Sequence, residues 1–142
     1  MRSMTFLTVF GVVCATTFAA HHDGTWKMNI AKSKGVGDIT SRTMKITEAG
    51  PKTFHYEFEE TRNGKTTKNT DTRVCDGREH RNERSSSYTC NDSKTIFLRD
   101  GKPALEYKHS FSSDGNTLTN AVTGWDKDGK VIRSEVRVFE RQ

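Results

Sequence analysis

Few residues in this chain stand in a pattern that does chemistry. In the segment "ALEYKHSF", Leu105, Tyr107, His109 and Phe111 alternate with Glu106, Lys108 and Ser110. An imidazole among aromatic neighbours can donate a hydrogen bond to a small molecule or move a proton. In "TFHYEFEE", Phe54, Tyr56 and Phe58 alternate with His55, Glu57 and Glu59. Three ligating types at i, i+2 and i+4 can hold a metal, but a solvated strand face has the same composition. No Cys/His spacing resembles a zinc site. There is no G-x-S-x-G, no phosphate-binding glycine loop and no H-E-x-x-H. Ser85-Ser86-Ser87 has no base paired with it in the sequence. The sequence names no cofactor and no catalytic set, and an enzymatic role is not expected. The segment 76–84 sets Arg78, Arg81 and Arg84 among Asp76, Glu79 and Glu83, which reads as a solvated connection.

The N-terminus differs from the rest. Arg2 is the single charge in residues 1–20, an apolar run extends from Phe6 to Ala15, and small residues follow. That is the pattern of a secretory signal peptide, cut after Ala19. The run is too short to span a bilayer, and no second one follows. Val13 before Cys14 does not suit lipoprotein processing. Residues 20–142 then form one mature domain of 123 residues, secreted or periplasmic. The full chain carries a net charge of +5, and losing Arg2 leaves +4. This excess is small and interleaved with acids, so nucleic acid is not an expected partner. Cys75 and Cys90 survive processing and are expected to form a disulfide. It would close a loop of about 15 residues, worth roughly 3 kcal/mol in the chain-entropy model. Asn91-Asp92-Ser93 is a glycosylation sequon that matters only in a eukaryotic source. Cutting after Ala19 exposes Ala20-His21-His22, whose amine, two amides and third-residue imidazole make a square-planar nitrogen set for Cu(II) or Ni(II). A frayed tail is the competing expectation for His22.

The remaining sequence specifies strands. Asn63-Gly64, Asp76-Gly77, Asp100-Gly101, Asp114-Gly115 and Asp128-Gly129 are hairpin-turn pairs. Period-2 alternation fills the segments between them, with no helical pattern over three turns. In "RTMKITE", Met44 and Ile46 share a face; Trp26, Met28 and Ile30 share another; Ile132, Val136 and Val138 lie opposite Arg133, Glu135 and Arg137. One face of each strand is expected to be buried and apolar. Strands are expected at about 24–31, 39–48, 53–62, 65–75, 84–90, 94–99, 102–112, 116–125 and 130–140, with a doubtful one inside 77–83. Residues 31–38 suit one helical turn or a loop. Short loops make successive strands antiparallel neighbours. The fold class is all-β: an antiparallel up-and-down meander closing into an 8–10-stranded barrel, which removes free edges. A two-sheet sandwich is the alternative.

Gly24-Thr25-Trp26 at the head of the first strand resembles the G-x-W signature of lipocalins and their calycin relatives. The resemblance implies that Trp26 closes one end of the barrel and that an arginine late in the chain packs on it. Arg133, Arg137 and Arg141 are the candidates, and Arg137 is assigned. "GTWKMNIAKSK" (24–34), Ser113 to Thr119, Asp128 to Lys130 and Val136 to Glu140 also resemble, in order and spacing, small secreted bacterial lipocalin-like proteins without an assigned activity. The chain is shorter than lipocalins and lacks their C-terminal helix. Phe54, Tyr56, Phe58, Phe97, Leu105, Tyr107 and His109 are the candidate wall of an interior ligand site, with Phe111 on the same face. The expected function is binding a small apolar or amphipathic molecule inside a monomeric barrel. The alternative is a protein-binding module, such as an inhibitor of an extracytoplasmic enzyme acting through loops at the barrel mouth.

Overall fold

In a computed structural model describing residues 22–84 and 86–142, the chain forms ten β-strands and, among the described residues, no helix. The strands are β1 (Gly24–Met28), β2 (Ile39–Gly50), β3 (Thr53–Arg62), β4 (Lys65–Val74), β5 (Glu79–Arg81), β6 (Ser87–Cys90), β7 (Lys94–Arg99), β8 (Lys102–Phe111), β9 (Thr117–Trp125) and β10 (Val131–Arg141). Their order is β4-β3-β2-β1-β10-β9-β8-β7-β6-β5, each pair antiparallel. Successive strands are neighbours, as a meander requires. The pairing of β1 with β10, with Trp26 opposite Arg141 and Met28 opposite Phe139, brings the first and last strands together. The expected all-β barrel is therefore present, with ten strands. The doubtful segment supplies the shortest of them, β5.

Among the described residues no ladder joins β4 to β5, so the barrel is nearly closed, with a gap between these two strands. The gap is pinned at one end by the Cys75–Cys90 disulfide. There the Val74 amide donates to the Tyr88 hydroxyl at 2.9 Å, and the Gly77 amide to the Cys90 carbonyl at 2.8 Å. Further along, Arg84 Nη2 donates to Asn69 Oδ1 across the gap at 2.9 Å.

Two of the five turn pairs are tight hairpins with both central residues left-handed: Asn63 (φ 50°) with Gly64 (73°), and Asp100 (51°) with Gly101 (72°). That conformation strains most side chains and suits Asn-Gly and Asp-Gly. The others are longer loops. In the β9–β10 loop the Asp126 carboxylate accepts from the amides of Asp128 and Lys130, each at 2.9 Å. Residues 31–38 form a turn and a single bridge, Lys34 to Val136. β1 stops at Met28, so Ile30 lies in that loop, 37% exposed, and does not continue the Trp26/Met28 face as expected.

The largest reversal concerns β10. Arg133, Glu135, Arg137 and Phe139 face inward, while Ile132 and Val136 face solvent at 67% and 36% exposure. The β1 register dictates this: Phe139 must face inward beside Met28, and every second residue follows it. The apolar core proper gathers around Trp26, Met28, Met44, Ile46, Leu118 and Phe139. A smaller cluster, Cys75, Tyr88 and Cys90, packs with Phe54 and Phe97.

Candidate functional site

One end of the barrel is sealed. Trp26 is fully buried, and the Arg141 guanidinium lies 4.3 Å from its ring centroid. Arg141 Nη1 donates to the Asp23 carbonyl at 2.7 Å and Nε to the Gly115 carbonyl at 3.1 Å. A Cβ at position 24 would meet Arg141 Nη1 at 2.5 Å, so the glycine of G-x-W makes room for the arginine. The assignment of Arg137 to this role is corrected: register sets Arg141 opposite Trp26, and residue 137 lies four positions back, about 13 Å along the strand. His22 completes the seal. Its ring lies 5.2 Å from Phe54 and 4.7 Å from Phe111, and its carbonyl accepts from Trp26 Nε1 at 3.2 Å. Burial pushes its pKa down, against the pull of Asp92, Asp23 and Glu48. A square-planar copper set would have to draw His22 out of this packing. The other members of that set, Ala20 and His21, lie outside the described residues, as does the cleavage site.

Beyond the seal lies an interior cavity of about 350 Å³. Tyr56, Phe58, Phe97, Leu105, Tyr107 and His109 line it, with Phe111. Phe54, also expected there, does not. It sits at the start of β3, in the packing around the seal and the disulfide. The cavity reaches the gap between β4 and β5, where Thr67 and Asn69 face Asn82, Arg84 and Ser86.

The walls are not simply apolar. Arg42, Arg73 and Arg137 reach the cavity, with Arg133 on the same face toward the end opposite Trp26. Arg42 pairs with Glu60 and lies 4.9 Å from the Phe58 ring centroid. Arg73 Nε meets Asp71 at 2.7 Å, and its guanidinium lies between Tyr56 and Phe97, at 4.5 and 5.1 Å. Glu135 accepts from Arg133 Nε at 2.5 Å and from Arg137 Nε at 2.7 Å. Among the described residues, four inward arginines thus face three inward carboxylates, Glu60, Asp71 and Glu135. Burial pushes the Glu135 carboxyl up, but Arg133 and Arg137 outweigh it and hold it below the ordinary range. Burial, seconded by the Arg137 charge, lowers Arg42. His109 is held down at about 4, first by burial and then by the Arg73 and His22 charges, with the Asn120 carboxamide acting the other way. At neutral pH its imidazole is uncharged.

Sequence reasoning missed Arg42, Glu60, Asp71, Arg73 and Asn120. A signal existed: Asp71/Arg73 and Arg133/Glu135/Arg137 set opposite charges two residues apart on one strand face, where they neutralise each other. The outward trio His55, Glu57 and Glu59 is engaged across strands, with Thr72 at 2.9 Å, Lys45 at 3.7 Å and Lys68 at 2.9 Å. Among the described residues no three His, Cys, Asp or Glu side chains converge as metal ligands.

No protein-family profile and no curated protein sequence matches the chain. Solved structures do. A point mutant of the fluorescent protein UnaG superposes with a TM-score of 0.55 at 17% identity, covering 85% of this chain and 96% of that one. Fatty-acid-binding protein 1 of Echinococcus granulosus superposes with a TM-score of 0.52 at 19% identity, covering 84% and 96%. The fold is an all-β antiparallel barrel like that of these two proteins. At these identities the likeness speaks for architecture alone. Among the described residues no helix is long and apolar enough to cross a membrane.

Proposed function

We propose that this barrel binds a small amphipathic anion, with its acid group on the inward arginines and its apolar part along Tyr56, Phe58, Phe97 and Leu105. The observation that carries the reading is the charge imbalance. Arg133 and Arg137 share one carboxylate, leaving an inward guanidinium charge without a counterpart. A buried charge is tolerated only when paired. A ligand carboxylate, sulfonate or phosphate supplies the partner, and a guanidinium holds such groups in a fork geometry. Among the described residues Arg137 gives only Nε to Glu135, so its terminal nitrogens remain to donate. The cavity volume falls within the range of small-molecule sites. The binding ascribed by name to the fatty-acid-binding neighbour is consistent with this reading.

We further propose that the chain acts as an exported monomer after removal of residues 1–19, as a member of the small secreted bacterial lipocalin-like proteins its sequence resembles. The disulfide supports export, because such bonds persist in oxidising compartments. The protein-binding alternative has one observation in its favour: Val131 and Ile132 project beside the β9–β10 loop, 53% and 67% exposed.

Titration with anilinonaphthalene sulfonate, an aromatic anion, tests the main reading. Saturable one-to-one fluorescence enhancement, abolished in Arg137→Met, is the expected result. Equal enhancement in the variant, or none in the parent, overturns it, and the second outcome favours a protein partner.

A further inference from the structure

Inside the cavity three polar side chains stand side by side on successive strands. Arg137 of β10 is opposite Asn120 of β9, and Asn120 is opposite His109 of β8. Toward Trp26 the adjoining row is Phe139, Leu118 and Phe111; away from it the row is Glu135, Val122 and Tyr107. Along its own strand face Asn120 stands between the apolar Leu118 and Val122, and it is 8% exposed. Its Oδ1 is buried and, among the described residues, has no hydrogen-bond partner. Leucine would fill such a place at no polar penalty. A carbonyl acceptor left dry is costly, and native interiors rarely keep one without a donor. Neither strand neighbour supplies it: Arg137 directs Nε to Glu135, and the His109 ring, although close enough for the carboxamide to act on it, does not reach Oδ1 with hydrogen-bond geometry. All three side chains border the cavity, so the missing donor belongs to what the cavity holds.

We propose that Asn120, with His109 beside it, is a second subsite, which accepts a hydrogen bond from a neutral hydroxyl or amide N–H carried close to the ligand's acid group. This rests on the reading of the barrel as an anion binder and specifies its ligand. Opposed residues on antiparallel strands hold their Cβ atoms about 4.5–5.5 Å apart. A molecule with its anion on Arg137 thus meets Asn120 Oδ1 one or two carbons away. That spacing selects α- or β-hydroxy acids and N-acyl amino acids over plain fatty acids. The uncharged His109 offers one ring donor and one ring acceptor to the same polar group, so the row discriminates by hydrogen bonding without adding charge.

The test displaces bound anilinonaphthalene sulfonate from the mature chain with dodecanoate, β-hydroxydodecanoate, N-decanoylglycine and the diol corresponding to the hydroxy acid. Sites built to pair a polar group reject analogues that lack it. The hydroxy acid and the acylglycine should bind at least about tenfold more tightly than dodecanoate. In Asn120→Leu the ratio should fall to near one, with the hydroxy acid weakened and dodecanoate strengthened. The ratio on the unmodified chain decides the matter even if the variant does not fold. If dodecanoate binds, depends on Arg137 and equals its hydroxy analogue, the subsite is refuted and the anion reading stands. If the diol binds through Asn120 as well as either acid, the subsite stands and the anion reading falls. If none displaces the probe, both fall.

Discussion

Two substitutions at one ion-pair node separate a ligand-receiving charge from a structural one. Glu135 is 10% exposed and accepts from Arg133 and Arg137; the Arg137 side chain is 3% exposed. Glu135→Gln strips the node of its carboxylate and leaves two guanidiniums facing each other. Breaking a buried pair from one side costs about 3–5 kcal/mol. Arg133 is 34% exposed and partly screened, so the lower figure, about 3 kcal/mol, applies. Arg137→Met removes the surplus charge instead. Glu135 keeps Arg133, and the methionine retains the buried stem, so the ligand-free protein should change by less than about 1 kcal/mol. For a domain of this length 1 kcal/mol moves the melting temperature by about 3–5 °C. Thermal unfolding without ligand should therefore show a fall of about 10 °C for Glu135→Gln and a few degrees at most for Arg137→Met. Binding should rank the other way, with Arg137→Met losing at least about thirtyfold for anilinonaphthalene sulfonate, the effect of about 2 kcal/mol. If ligand-free Arg137→Met melts as low as Glu135→Gln, the arginine is structural and the charge-imbalance argument is wrong.

Two further outcomes follow from the same geometry. His109 is held at about 4 in the folded protein against an ordinary 6.5. Between those values the unfolded chain binds a proton that the folded chain refuses, so stability falls as pH drops below 6.5 and levels off near 4. From pH 7 to pH 5 the His109 share of the loss should be about 2 kcal/mol by urea titration, and His109→Gln should remove that share while the contribution of His22, also lowered by burial, stays; an unchanged loss in the variant would show that other groups cause it. Arg141→Met deletes the cation–π contact and two bonds to carbonyls at the seal, for an expected loss of about 2–3 kcal/mol. In a Trp125→Phe background it should also make Trp26 accessible to acrylamide, whereas Arg137→Met should leave Trp26 protected; matching quenching in both would contradict the placement of Arg141.

Strand positions were legible because two local signals agreed. Alternation marks the strand interiors, and Asn-Gly or Asp-Gly pairs mark where β3–β4 and β7–β8 must turn. β5 carries only Glu79, His80 and Arg81, with nothing apolar to alternate, so it escaped confident reading. Which face of β10 points inward was not legible, because period 2 divides a strand into two faces without saying which is buried. Ile132 and Val136 made the wrong face look like core. The deciding contact, Phe139 beside Met28, joins residues 111 positions apart. The same limit produced the error at Trp26: Arg133, Arg137 and Arg141 are spaced by four, share one face and differ only in register with β1. The site was legible where its members are aromatic, as at Tyr56, Phe58 and Tyr107. It was hidden where they are charged, since Arg73 or Glu60 looks solvent-facing until partners from other strands are known.

The distribution of these groups explains why a chain with so thin an apolar supply folds around an open interior. The apolar clusters and the disulfide sit at the Trp26 end and along its edge, where Trp26, Phe139 and Tyr88 are each at most 2% exposed. The rest of the interior wall is held by ion pairs and by guanidiniums laid on Phe58 and, at the border of those clusters, on Tyr56 and Phe97. Such pairs give little net stability against a well-packed apolar alternative. Their retention alongside an unpartnered Asn120 carbonyl means this part is not optimised as an empty structure. A ligand that neutralises Arg137 and donates to Asn120 corrects both defects together. At one hundred times its dissociation constant it adds about 2.7 kcal/mol by mass action alone. On the proposed reading such a molecule would complete the core, and the groups it must satisfy would set its chemistry.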